Sequence, residues 1–127
     1  MATMTVFVFG NPDLAQDSLA LKILPALEKE FPRLKFIVQD PNEEWAVPEE
    51  LVIIDNVVGL ERVQVFDNLQ EFAAPPRVSL HDFDAWTNLR YLQKLGRLKK
   101  ITIIGLPPAL PVKTALAETK TILAGLF

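Results

Sequence analysis

The sequence predicts an α/β protein, a three-layer α/β/α sandwich built on a five-stranded, mostly parallel sheet. Three observations point there. Short runs without a charged residue, Val6-Phe-Val-Phe9, Leu51-Val-Ile-Ile54 and Ile101-Thr-Ile-Ile104, are too uniformly apolar for strands with a wet face. Stretches with apolar residues at helical spacing separate them. Turn chemistry punctuates the joins, and the order β-α-β-β-β-α-β-α favours helices on both sides of one sheet.

Residues 3–9 are β-branched and aromatic and suit a strand buried on both faces. Gly10-Asn-Pro-Asp13 then supplies a turn. Over residues 17–31, Ala20, Ile23, Leu24, Leu27 and Phe31 recur at helical spacing, while Glu28, Lys29 and Glu30 fall toward solvent. Pro25 cannot donate an i→i−4 bond, so a kink or a break is expected there. Residues 34–38 read as a second strand, ended by Gln39-Asp-Pro-Asn42. The third strand, residues 51–54, runs into Asp55. Residues 62–66, Arg-Val-Gln-Val-Phe, alternate polar and apolar and read as an edge strand. Ala73-Ala-Pro-Pro76 marks a loop. Residues 82–95 carry Phe83, Trp86, Leu89, Leu92 and Leu95 at helical spacing and stop at Gly96. The fifth strand, residues 101–104, closes on Gly105-Leu-Pro-Pro108, and residues 113–126 form a last amphipathic helix through Leu116, Ile122, Leu123 and Leu126.

Bulk composition narrows the function classes. A chain of 127 residues, half of them hydrophobic, is expected to make one domain over 1–127 with its own core. The formal charge of −3 is mild, and the basic residues are dispersed, with Arg97, Lys99 and Lys100 the densest spot. Neither nucleic acid nor a membrane surface is therefore an expected partner. Without cysteine there are no disulfides, thiol nucleophiles or thiolate ligands, so any metal site must use nitrogen and oxygen. No run reaches the roughly 18 apolar residues of a membrane span. The start, MATMTVFVFG, has no positively charged leader, which argues against a signal peptide and for a cytoplasmic protein.

In doubly wound sheets, ligands bind beyond the carboxyl ends of the strands. Three polar groups follow apolar runs: Asp17 after the first strand and its turn, Asp55 after the third, and His81 before the second helix. Two carboxylates and an imidazole are a donor set that suits a divalent transition metal. Each also has a plainer reading. Asp17-Ser18 before an apolar periodic run has the form of a helix N-cap. Asp55-Asn56 is able to start a turn, and His81, the single histidine, stands among acids as surface or capping histidines do. A dinucleotide fingerprint, a phosphate loop and a serine-hydrolase elbow are all absent; the two serines, Ser18 and Ser79, lie in no G-x-S-x-G context.

Taken in order, a buried strand leading to Gly10-Asn11, an acid at Asp17, an apolar strand ending in Asp55, His81 before an amphipathic helix, and Gly105-Leu-Pro-Pro108 after the last strand resemble the [NiFe]-hydrogenase maturation endopeptidases. The resemblance spans nearly the whole chain. It implies a peptidase that removes the C-terminal extension of a nickel-loaded hydrogenase large subunit, with that precursor as its protein partner. It also implies Asp17, Asp55 and His81 as the metal-binding residues, Asp17 and Asp55 as candidate catalytic acids, and Gly10 and Asn11 as the turn that shapes the site. The nickel would arrive with the substrate, with no tightly bound cofactor of the chain's own, although zinc or cadmium is able to occupy such a site. The family pattern G-N-x-L-x-x-D-D-G-x-G is met here by Gly10-Asn-Pro-Asp-Leu-Ala-Gln-Asp-Ser-Leu-Ala20, with Gln16, Ser18 and Ala20 in place of an acid and two glycines. Those substitutions leave a second expectation open, a binding protein or chaperone that keeps the fold and the metal recognition without proteolysis.

Overall fold

The structure, a computed structural model, describes residues 4–11, 13–14, 17–39, 48–67, 78–79 and 83–127, with the backbone alone for 78–79 and 83–88. His81, Gln16, Trp45, the 73–76 loop and most of the 39–42 loop lie outside the described residues. The elements in chain order are β1 (Thr5–Val8), α1 (Leu19–Glu30), β2 (Lys35–Val38), β3 (Glu50–Val58), β4 (Gln64–Phe66), β5 (Val78–Ser79), α2 (Phe83–Lys94), β6 (Lys100–Leu106) and α3 (Val112–Leu126).

Five strands form one sheet in the order β2-β1-β3-β6-β4. The first four are mutually parallel, and β4 closes the edge antiparallel to β6. The alternating pattern of residues 62–66 does mark an edge strand, with Phe66 turned into the core. The two-residue β5 was not legible in the sequence; it pairs antiparallel with the far end of β3, at Val57 and Val58.

Strand alternation divides the core into two layers. Val6, Val8, Val52, Ile54, Ile104 and Leu106 pack under α1 and α3, against Leu19, Ala20, Ile23, Leu27, Ala115 and Leu123. Phe7, Phe9, Leu51, Ile53, Val57, Phe66 and Ile103 form the other layer with Leu89 of α2 and Leu98. That split follows from topology. The β1–α1–β2 crossover moves one way along the sheet and the β3–α2–β6 crossover the other, so a common right-handed turn places their helices on opposite faces.

Three local features depart from, or refine, the sequence reading. Helix α1 begins at Leu19 with Ser18 as its N-cap, so Asp17 is one position outside it. The helix also runs unbroken through Pro25. That proline sits on the exposed face, where the lost bond faces solvent, while Leu19, Ala20, Ile23 and Leu27 pin both halves to the sheet. Finally, β3 does not end at Asp55. It continues to Val58, with Asp55 opposite Gly105 and Asn56 opposite Leu106 in β6.

At the end of α2, Gly96 adopts φ 75°, and the Arg97 and Gly96 N–H groups donate to the carbonyls of Leu92 (3.0 Å) and Gln93 (3.0 Å), the Schellman pattern that a glycine permits. No helix of the described residues is long and apolar enough to cross a membrane.

Candidate functional site at the carboxyl end of the sheet

Strands β1 and β3 are neighbours whose onward connections leave in opposite directions, and the crevice between their carboxyl ends is the switch point where α/β sheets bind ligands. β1 ends level with Ile54, so Asp55 and Asn56 stand one and two residues beyond the β1–β3 pairing. The segment that leaves β1 brings Asp17 back to the same place.

The return of Asp17 is built from backbone. The Asn11 N–H donates to the Asp17 carbonyl (2.7 Å) and closes the loop at its neck. Inside it, the Leu14 N–H donates to the Asn11 carbonyl (3.2 Å) and the Asp17 N–H to the Leu14 carbonyl (2.9 Å). The Asn11 side chain accepts from the Asp13 N–H at 2.9 Å, an Asx turn that starts the reversal. Gly10 is needed for room and not for a left-handed φ. A Cβ there would lie 2.9 Å from the Asp17 carbonyl oxygen and 2.9 Å from Leu21 Cγ, inside van der Waals contact with both.

Asp17 is 4% exposed, and Asp55 and Asn56 are fully buried. Carboxylates in such positions require hydrogen-bond donors, and one residue serves both. The Asn56 backbone N–H donates to Asp55 Oδ1 (2.8 Å), and its Nδ2 donates to Asp17 Oδ1 (2.9 Å). Nδ2 also reaches the Phe9 carbonyl at 3.4 Å, and Oδ1 accepts from the Ala20 N–H at 3.0 Å. Ala20 is the second residue of α1, so Asn56 occupies the role of a capping side chain from 36 positions away in sequence. The Ser18 side chain makes no cap bond. Alternation along β3 directs the Asn56 side chain toward α1 and that of Asp55 toward the α2 layer, so the two acids approach the switch point from opposite faces of the sheet.

Asp17 and Asp55 are thus brought to one residue of the β3 end, with Gly10 and Asn11 at the neck of the loop that carries Asp17. His81 lies outside the described residues, and among the described residues no group of three or more His, Cys, Asp or Glu side chains is placed to hold a metal ion. Two carboxylates supply hard oxygen ligands or a general base; an imidazole would complete a set suited to a divalent transition metal. Sequence reasoning passed over Asn56. Its signal was present, since Asp55-Asn56 is followed by Val57-Val58 and not by turn residues, which marks polar groups inside a strand.

No protein-family model matches the chain, and no curated protein matches it in sequence. Solved structures do match in fold. The hydrogenase-maturating endopeptidase HybD from E. coli superposes with a TM-score of 0.69 at 18% identity, over 96% of this chain and 93% of that one. An endopeptidase from Escherichia coli, determined in solution, gives 0.63 at 19% identity over 97% and 92%. The hydrogenase 3 maturation protease gives 0.65 at 17% identity over 94% and 88%. The resemblance carried by the motifs therefore extends to the three-dimensional fold.

Proposed function

We propose that the chain is a divergent hydrogenase-maturation endopeptidase, which removes the C-terminal extension of a nickel-loaded hydrogenase large subunit. The observation that carries this reading is that two buried acids from separate segments, Asp17 and Asp55, both bond to Asn56 at the β1–β3 switch point. It is supported by the fold shared with HybD and the hydrogenase 3 maturation protease across almost the entire chain.

In this reading Asp17, Asp55 and His81 recognise the nickel held by the substrate, and the chain carries no tightly bound metal of its own. Burial in the crevice strengthens the interaction of both carboxylates with a cation. It also limits the water present at the scissile bond. One of the two acids accepts the proton of the attacking water, a task that needs hydrogen-bond reach to that water and a fixed carboxylate orientation. The geometry around Asn56 supplies the orientation. Gly10 and Asn11 hold the loop that presents Asp17.

Incubation with a nickel-loaded large-subunit precursor, followed by intact-mass spectrometry, tests the proposal. Loss of the C-terminal tail is expected, with none on the nickel-free precursor. A stable complex without cleavage would instead identify a non-proteolytic binding protein or chaperone, the reading that Gln16, Ser18 and Ala20 suggest.

A further inference from the structure

The Asn56 side chain satisfies three groups from three different segments. Its amide orientation is fixed by its neighbours. The Ala20 N–H only donates, so the atom facing it must be oxygen, which leaves the NH₂ facing Asp17 Oδ1 and the Phe9 carbonyl. A carboxylate there would confront Asp17 with a second acceptor, a leucine would remove the Asn56 bond from both the helix N–H and the acid, and a serine offers no second polar end. The same residue's backbone N–H donates to Asp55. The orientation of Asp17 is thereby tied to β3, a rigid central strand, and not left to the loop that carries it.

We propose that Asn56 is a positioning residue whose side-chain amide sets the orientation of Asp17 and starts helix α1, while its backbone N–H holds Asp55. The inference rests on the peptidase reading for its functional consequence, but its geometric part stands apart from that reading. The Asn56 side chain acts through Asp17, and its backbone N–H through Asp55.

Two measurements on the full chain test it. The first needs no substrate. Exchange of the Asn56 side-chain amide protons, followed by NMR, is expected to be slowed on the order of a hundredfold relative to an exposed amide, and Asp17→Ala is expected to release it. Exposed-amide exchange in the wild type, or no response to Asp17→Ala, overturns the proposal. The second is steady-state cleavage of the nickel-loaded precursor by Asn56→Ala and Asn56→Asp, referred to the folded fraction from circular dichroism. A fall in kcat of about ten- to a hundredfold, with KM within about twofold of wild type, is the expected result for a residue that orients the acid acting as general base. Asn56→Asp keeps an acceptor for the Ala20 N–H, so the same loss in that variant separates positioning from capping. Wild-type kcat in folded Asn56→Asp overturns the positioning role. A wild-type protein that leaves the precursor intact refutes the peptidase reading alone, and the exchange measurement then decides the role of Asn56.

Discussion

Substituting Gly10 by alanine puts the neck of the acid-bearing loop under direct test. The new methyl group would meet the Asp17 carbonyl oxygen and Leu21 Cγ, both at 2.9 Å, and Leu21 Cδ1 at 3.2 Å. Leu21 is half-buried and meets the methyl with side-chain atoms, but the carbonyl is fixed by the 2.7 Å bond from the Asn11 N–H and has to move with its backbone. Overpacking of this kind costs about 1–3 kcal/mol, and weakening the neck hydrogen bond adds about 0.5–1.5 kcal/mol. With an unfolding entropy of roughly 2.1 cal/mol/K per residue, each kcal/mol lowers the melting temperature of a 127-residue chain by about 4 °C. Gly10→Ala is therefore expected to melt roughly 6–18 °C below wild type in a circular dichroism scan. It is also expected to lose precursor cleavage in the fraction that remains folded, because Asp17 moves with its carbonyl. A shift below about 2 °C would show that the loop yields freely, and would refute the claim that Gly10 is there for room.

Gly125 provides the contrast: a Cβ there meets nothing within 4 Å, so Gly125→Ala near the end of α3 is expected to be neutral or to stabilise by up to about 1 kcal/mol in the same scan. Gly96 also has open space but sits at φ 75°, and Gly96→Ala is expected to cost about 1 kcal/mol in chemical denaturation, through backbone strain at the end of α2 and with no change in cleavage. Asp55→Asn retains an acceptor for the Asn56 N–H, so stability is expected to change by less than about 1 kcal/mol, whereas precursor cleavage is expected to fall by about 10²-fold or more. Equal loss of stability and activity in that variant would mark Asp55 as a packing residue.

Much of the fold was legible because its determinants are local. The apolar runs in β1, β3 and β6, the alternation before Phe66 and the glycine stop at Gly96 each express a rule that operates within a few residues. The site was legible only in part. Asp17 has the sequence form of an N-cap, yet the N-cap is Ser18 and the side chain that accepts from the first turn belongs to Asn56. Propensity near Asp17 carries no trace of an acceptor supplied 36 residues later. The end of β3 was misplaced for a related reason. Two consecutive polar residues suggest a turn, but here Asn56 bonds to Asp55, Asp17, the Phe9 carbonyl and α1, and the strand pairs on through Val58. The space requirement at Gly10 was likewise invisible, since it is set by Leu21 and by a carbonyl on the far side of a loop.

The remote cap has a consequence for the order in which the molecule assembles. As the chain emerges from the ribosome, β1, the loop and α1 are complete well before β3 exists, and the first turn of α1 then lacks the acceptor for its Ala20 N–H. Asp17 lacks its Asn56 donor over the same interval. Parallel pairing of β1 with β3 is a long-range event, delayed by the loop that must close before it. Docking of β3 therefore completes the first turn of a helix and brings Asp17 its Asn56 donor in a single step, so a partly folded chain that has not yet made this contact has neither bond in place.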